Sequence, residues 1–153
     1  MVDIKMYTRP LTGFSVAGSK ARVTPGVIAK VSNALYDTSI NVQCISSGEY
    51  SITVFIDQAD AKKAAKVLKK VVITKTAFEA LIVKSNVAMI SATGKEFVNA
   101  PGMLERMIHP LGKAKIDILS VSTSFDSVVL LINWKDRKKA FKLIEQGFIK
   151  GRI

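Results

Sequence analysis

The sequence predicts an α+β protein built from two copies of one small fold, with a strand exchanged so that the first copy is inserted into the second. Residues 14–70 repeat without a gap at 90–146, with 14 identities in 57 aligned pairs. Each copy reads as strand, helix, strand, strand, helix. A repeat of this length is a whole domain rather than a solenoid unit, and 153 residues are enough for two small domains.

The first strand and first helix of each copy are marked by a short apolar run and a Pro-Gly pair. Strands are expected at 14–17 and 88–92, and the proline suits the first helical position, where a missing N–H costs nothing. Pro110 is expected to end or kink the second helix near His109. Apolar residues at helical spacing are Val27, Ile28, Val31, Ala34 and Leu35 in the first copy, and Met103, Leu104, Met107, Ile108 and Leu111 in the second.

Two further strands and a second helix follow in each copy. Apolar and polar residues alternate along the strands, which is typical of a sheet with one buried face. The same alternation places Cys44 in the core rather than in a reactive position. The expected ranges are 40–46, 50–57 and 59–71 in the first copy, and 116–122, 126–133 and 135–146 in the second.

This order is that of a ferredoxin-like βαββαβ sandwich, which needs a fourth strand. The first copy has one at 78–83, whereas Gly147–Ile153 are too few to supply one for the second. Shifting the first copy's last strand back by 76 residues leads to the N-terminus, so we expect a strand at about 2–8 to complete the second copy. The predicted domains are 11–84, and 2–9 together with 87–150.

One strand is apolar on both of its faces. Val128–Ile132 is an unbroken aliphatic run, yet the helices of this fold cover only one face of the sheet. A second sheet or a second subunit is expected to cover the other face, and a homodimer is the simplest form of that arrangement.

Composition limits the classes of partner. A net charge of +11 would suit nucleic acid, but the lysines fill the outward positions of the two second helices without interleaved aromatic residues. We therefore interpret the charge as a solvated surface and expect no nucleic-acid partner. The apolar runs are too short to cross a bilayer and the N-terminus lacks a signal-peptide pattern. A single cysteine, Cys44, excludes an internal disulfide and fits a reducing cytoplasm.

No catalytic site, metal site or cofactor is predicted. The single histidine, His109, lies at a predicted helix end without a cysteine or carboxylate cluster nearby, and we interpret it as structural. Metal-ligand spacings, a P-loop and a dinucleotide fingerprint are all absent from the sequence.

What recurs is a loop that ends in Pro-Gly at a helix N-terminus. The helix start offers unpaired N–H groups and partial positive charge, which can hold a carboxylate. Gly26 and Gly102 would let a ligand approach the backbone closely. The alternative is an ordinary strand-to-helix turn, which duplication alone would also preserve.

The residues around these loops resemble the ACT domains of aspartate kinases. The similar stretches are Gly18–Val31 with Ile40–Ile52, and Gly94–Met103 with Ile116–Ser124. In that family one ACT domain is inserted in the other, and the tandem binds an end-product amino acid, lysine or threonine, and inhibits a separate kinase domain. Its dimers form through ACT domains, with effectors held at the interface.

The resemblance implies an effector site in each copy. The loop and helix start would hold the backbone groups of the effector, Gln43 would read its side chain or amino group, and Gly48 and Glu49 would close the site. Lysine-sensing members tend to have an acid in place of Gln43, and Leu119 of the second copy cannot hydrogen-bond, so the first copy is expected to be the better site. The implied residues are Ala21, Thr24, Gly26, Val27, Ile28, Val42, Gln43, Gly48 and Glu49, with Phe97, Ala100, Gly102, Met103 and Leu119 in the second copy.

The resemblance therefore implies an amino-acid-binding regulatory module, dimeric and cytoplasmic, that modulates an aspartate kinase. An isolated regulatory domain, a separate regulatory subunit and a stand-alone ACT protein are all compatible with the sequence, as are inhibition and activation. One alternative is a basic ferredoxin-like RNA-binding protein, which ranks lower because Tyr50, Phe55 and Phe125 are scattered. The other is a ligand-free ACT dimerisation module.

Overall fold

The computed structural model describes residues 1–18, 26–74 and 79–150. The chain forms two compact units, here called the first unit (Leu11–Ser85) and the second unit (Met1–Pro10 with Asn86–Ile153). Short 3-10 turns at Gln58–Asp60 and Trp134–Asp136 precede the last helix of each unit. The elements in chain order are β1 (Asp3–Met6), β2 (Leu11–Ala17), α1 (Val27–Tyr36), β3 (Val42–Ser47), β4 (Ser51–Asp57), α2 (Ala61–Thr74), β5 (Ala80–Thr93), α3 (Glu96–Asn99), α4 (Met103–Lys113), β6 (Ile118–Thr123), β7 (Ser127–Asn133) and α5 (Arg137–Lys150).

The first unit packs α1 and α2 on one face of an antiparallel sheet. Its strands lie in the order β3-β4-β2-β5, and Glu79 donates its N–H to the carbonyl of Ala17 at 2.7 Å just before β5 begins. Phe78, where the sequence placed the start of this strand, lies outside the described residues. The helix-facing core consists of Phe14, Val16, Val27, Val31, Leu35, Ile40, Ile52, Val54, Ile56, Ala64 and Leu68.

The second unit repeats this arrangement around β5, β7 and β6, with β1 paired to β5. β1 runs antiparallel to β5, from Asp3 opposite Thr93 to Met6 opposite Ile90. The predicted strand exchange is therefore confirmed, because the N-terminal strand completes the sheet of the second copy. Its core consists of Ala88, Ile90, Ala92, Met107, Leu111, Ile116, Val128, Leu130, Ile132, Ala140 and Ile144.

In each unit a β-bulge interrupts the edge strand of the sheet, which is β3 in the first unit and β6 in the second. The register shifts between Val42 and Cys44 in β3, and at the equivalent place in β6. Beyond the bulge Cys44 lies opposite Phe55, whose neighbours on either side face the helices. Cys44 is therefore half-buried on the face away from the helices, and the prediction that it belongs to the core was wrong, because an extra residue inverts the alternation of a strand.

Pro110 does not end its helix. α4 continues through it to Lys113, although proline supplies no N–H for the carbonyl of Arg106 four residues earlier. On the neighbouring helix α5, a Cβ placed on Gly147 would lie 2.7 Å from that carbonyl oxygen. The absence of a side chain at Gly147 thus gives the Arg106 carbonyl room at the helix–helix contact. The expected helix end near His109 was wrong, whereas the alternative, a kink there, stays a prediction.

The outward face of β7 is partly covered within the single chain. Leu131, on the face opposite to Leu130, is only 1% exposed, whereas Val129 on the same face is half-buried. The homodimer stays a prediction. In the part of the chain that the structure describes, no helix is long and apolar enough to cross a membrane.

Candidate functional site

Both first helices begin at a glycine in the left-handed region. Gly26 has φ 79° and precedes α1, and Gly102 has φ 84° and precedes α4. A Cβ at either position would meet nothing within 4 Å, so the backbone angle, rather than lack of space, favours glycine there. Glycine has no side chain to cap the first turn, which leaves the N–H groups of that turn available to water or a ligand.

The strand that leads into each loop is tied to the hairpin turn beside it. Gly18 donates its N–H to the carbonyl of Tyr50 at 2.8 Å, and Gly94 donates to Asp126 at 2.9 Å. Inside the turn of the second unit, Ser124 donates to the carbonyl of Ser127 at 2.8 Å, and the equivalent bond in the first unit has the same length. Each loop therefore starts next to a hairpin turn, in the same backbone geometry twice.

In the second unit the loop, the helix start and the turn enclose a cavity of about 320 Å³. It brings together four of the five residues implied for this copy, whereas Leu119 is not among the lining residues. Three hydroxyl groups of the β6–β7 turn complete its wall. The lining consists of Phe97, Ala100, Gly102, Met103, Leu104, Thr123, Ser124, Ser127 and Val128.

The hydroxyl residues Thr123, Ser124 and Ser127 were missed by reasoning from the sequence. The signal was present, because the first-copy prediction at Gly48 shifts by 76 residues onto Ser124. The lining contains no charged side chain. A carboxylate in this cavity would therefore be held by backbone N–H groups, hydroxyls and the positive end of the α4 dipole.

In the first unit the implied residues divide into buried and exposed sets. Val27 is buried in the helix-facing core, and Val42 is half-buried and packs against that same cluster. Gln43 is half-buried at the bulge. Gly26, Ile28, Gly48 and Glu49 are exposed. Ala21 and Thr24 lie outside the described residues.

Gln43 and Leu119 occupy the extra position of the bulge in their respective strands. Bulges re-aim a side chain and are common beside binding sites. The position that the resemblance singled out in each copy is therefore the one at which the strand geometry is irregular.

The groups that could carry covalent chemistry are poorly suited to it. Burial raises the pKa of the Cys44 thiol, which lowers the fraction of reactive thiolate. His109 lies on the exposed surface of α4, where its Nδ1 is 3.0 Å from Oε1 of Glu105. Among residues 1–18, 26–74 and 79–150, no three metal-binding side chains come together.

Family models and relatives agree with this geometry. Residues 14–72 and residues 82–146 each match a model of the ACT domain. An aspartokinase of Corynebacterium glutamicum is 27% identical over 165 aligned residues, which cover 99% of this chain and 39% of that protein. The chain thus spans well under half the length of this relative.

Three solved structures share the fold. One of aspartokinase alpha and beta subunits has a TM-score of 0.84 at 22% identity, covering 95% of this chain and 96% of that one. The ligand-free regulatory subunit of aspartate kinase from Thermus thermophilus has a TM-score of 0.81 at 18% identity, covering 95% and 97%. E. coli aspartokinase III in complex with lysine and aspartate has a TM-score of 0.75 at 15% identity, covering 98% and 33%. Since both family matches are to ACT domains and together cover most of the chain, the protein belongs to the ACT domain family and carries two ACT domains in tandem, similar to those of aspartokinase regulatory subunits.

Proposed function

We propose that this chain is the regulatory part of an aspartate kinase and binds an end-product amino acid, lysine or threonine, at its helix starts. The observation that carries the proposal is a frame that both units repeat. A strand end is bonded to a hairpin turn, the next helix starts without a side-chain cap at a left-handed glycine, and the edge strand carries a bulge. The similarity to separate regulatory subunits along nearly their whole length supports it, as does the lysine complex of a protein with this fold.

The frame suits the groups that all amino acids share. The α-carboxylate would accept hydrogen bonds from the N–H groups of the first helical turn, where the helix dipole places about half a positive charge. The side chain would then lie toward the hairpin turn and the bulge, so these two places would decide which amino acid binds.

The cavity of the second unit favours a small uncharged side chain. Its lining contains three hydroxyls and no carboxylate, and the side-chain ammonium group of lysine buried there without an acidic partner would be costly. Of the two candidate effectors, threonine therefore fits this cavity better than lysine. In the first unit the equivalent turn carries Glu49 and the bulge carries Gln43, which can accept hydrogen bonds from an ammonium group.

Regulation would follow from linkage. An effector shifts the kinase only by the difference between its affinities for the active and inactive arrangements. Because linkage is reciprocal, kinase substrates would change the effector affinity by the same factor.

Isothermal titration of the purified chain with lysine, threonine and the other aspartate-family amino acids tests the proposal. We expect saturable heat from lysine or threonine, and affinity for the first-unit ligand at least about tenfold weaker in Gln43→Ala, because a hydrogen bond to a charged ammonium group is worth about 1.5–3 kcal/mol. Gln146→Ala removes an exposed amide on α5 and serves as the matched control. Absence of heat from every amino acid would contradict effector binding and leave a dimerisation module.

Of the three aromatic residues considered for the RNA-binding alternative, one is buried and cannot contact RNA. Phe55 is only 5% exposed and is therefore unavailable for stacking on a base. Tyr50 and Phe125 are exposed, but each lies at the hairpin turn of a different unit.

A further inference from the structure

A second cavity in the second unit is not explained by the helix-start sites. It has a volume of about 510 Å³ and lies between the N-terminal strand, the loop before α4 and the end of α5. This volume is within the range of small-molecule sites. Its lining consists of Met1, Val2, Asp3, Ile4, Glu96, Ala100, Met103, Arg106, Glu145, Phe148 and Ile149.

The packing of α5 on α4 forms one side of this cavity. Gly147 allows the backbone of α5 to come close to the carbonyl of Arg106. The ring of Phe148 contacts Phe97 of α3, with centroids 6.0 Å apart. The side chains of Arg106, Phe148 and Ile149 are thereby left to line the opening.

Two of the four charged side chains in the lining already have partners. Asp3 pairs with Lys5 at 2.8 Å, and Glu96 pairs with the Met1 amine at 2.6 Å. Arg106 is half-buried and Glu145 is exposed, and neither makes an ion pair with any of the residues that the structure describes. The cavity therefore presents one uncompensated positive and one uncompensated negative group.

This pair of opposite charges is not inherited from the repeat. The positions equivalent to Arg106 and Glu145 in the first unit are Lys30 and Lys69, so one of the two charges is inverted. Both lysines are exposed on their helices. Because the first unit folds with two lysines at these positions, the fold does not require the Arg–Glu pair.

We propose that this cavity binds a small zwitterion with an apolar body, either a free apolar amino acid such as leucine or an apolar dipeptide. The ligand carboxylate pairs with the Arg106 guanidinium, the ligand ammonium pairs with Glu145, and the body packs on Phe148 and Ile149. The inference does not rest on effector binding at the helix starts. The two cavities share Ala100 and Met103 in their linings, so occupancy of one would be felt at the other.

Titration of the untagged, ¹⁵N-labelled chain with L-leucine and with Leu-Leu, followed by NMR, tests this assignment. We expect the amide signals of Phe148 and Ile149 to shift in a saturable manner, and the probe that saturates at lower concentration identifies the ligand size. Arg106→Gln and Glu145→Gln should each weaken binding about tenfold, because each removes one charge-assisted hydrogen bond.

Two controls separate local contacts from general changes of charge. Lys30→Gln removes the positive charge equivalent to Arg106, and Glu105→Gln removes an exposed carboxylate of α4 that lies outside the cavity lining; both should bind the probes as the unmodified chain does. Glu145 is exposed, so Glu145→Gln decides the question even where Arg106→Gln impairs folding.

Absence of shifts at Phe148 and Ile149 with millimolar leucine and Leu-Leu would overturn the proposal, as would equal affinities in Glu145→Gln and Glu105→Gln. Lysine and threonine titrations of Glu145→Gln should match those of the unmodified chain. The failure of this site is therefore distinguishable from failure of the helix-start sites.

Discussion

Replacement of Gly147 by alanine tests how α5 packs on α4. The new Cβ would lie 2.7 Å from the Arg106 carbonyl oxygen and 3.7 Å from Cγ of Pro110. The first contact is with a backbone atom, which cannot rotate away as a side chain would. The helices must therefore separate locally, or α5 must shift along its axis.

Two opposing effects set the magnitude. Alanine in place of glycine stabilises a helix interior by about 1 kcal/mol, whereas overpacking a tight contact costs about 1–3 kcal/mol. Because the clash is with the backbone, we use the upper part of that range and expect Gly147→Ala to lower the free energy of unfolding by about 1–2 kcal/mol.

Gly112 provides the matched control, since it is a helical glycine on α4 with no atom within 4 Å of a built Cβ. Only the helix-propensity effect applies there, so Gly112→Ala should raise the free energy of unfolding by up to about 1 kcal/mol. The two Gly→Ala variants are expected to differ in sign.

Urea unfolding followed by tryptophan fluorescence is the appropriate assay. The single tryptophan, Trp134, belongs to the second unit, so its signal reports the unit that contains both glycines even if the two units unfold separately. A Gly147→Ala variant as stable as Gly112→Ala would refute the close approach of α5 to the Arg106 carbonyl.

Three further results are expected. Gly102→Ala should destabilise the second unit by about 1 kcal/mol in the same fluorescence assay, because alanine is strained at φ 84°; an unchanged midpoint would show that the left-handed angle is not required. Deletion of residues 1–8 removes β1 from the second unit and should abolish its cooperative transition, whereas a native-like Trp134 transition in the truncated chain would argue against the strand exchange. Cys44 should react with Ellman's reagent more slowly than a free thiol between pH 7 and 9, since burial raises its pKa and lowers the thiolate fraction; a rate equal to that of free cysteine would contradict the half-buried position.

The repeat made much of the fold predictable because equivalent sequences form equivalent hydrogen bonds. The bond from Gly18 to Tyr50 recurs from Gly94 to Asp126, at 2.8 and 2.9 Å. The second copy lacks a fourth strand of its own and must take it from another part of the chain. Shifting the last strand of the first copy back by 76 residues therefore located β1. These are properties of local pattern and of topology, both of which the sequence contains.

The errors came from features that depend on distant residues or on a single inserted one. The alternation of apolar and polar residues in the sequence does not reveal the bulge at Gln43. The extra residue moves Cys44 to the other face of the sheet, although the apolar pattern of the sequence continues unbroken. α4 continues through Pro110, and the carbonyl of Arg106 that proline leaves without its N–H lies against Gly147 of another helix. The hydroxyl of Ser124 was missed because the first-copy prediction at Gly48 was not carried over to the equivalent position of the second copy.

The two helix-start sites share a backbone frame but differ in the side chains attached to it. Gln43 and Glu49 in the first unit correspond to Leu119 and Phe125 in the second, so a polar and an acidic group are replaced by apolar ones. The proposed frame would hold the α-carboxylate in the same way in both units, whereas the side chains proposed to discriminate between amino acids differ. In the second unit these are the hydroxyls of Thr123, Ser124 and Ser127, because Leu119 and Phe125 do not line the cavity. If both sites bind, they should therefore prefer different amino acids, and a regulator of this construction would respond to two metabolites through one chain.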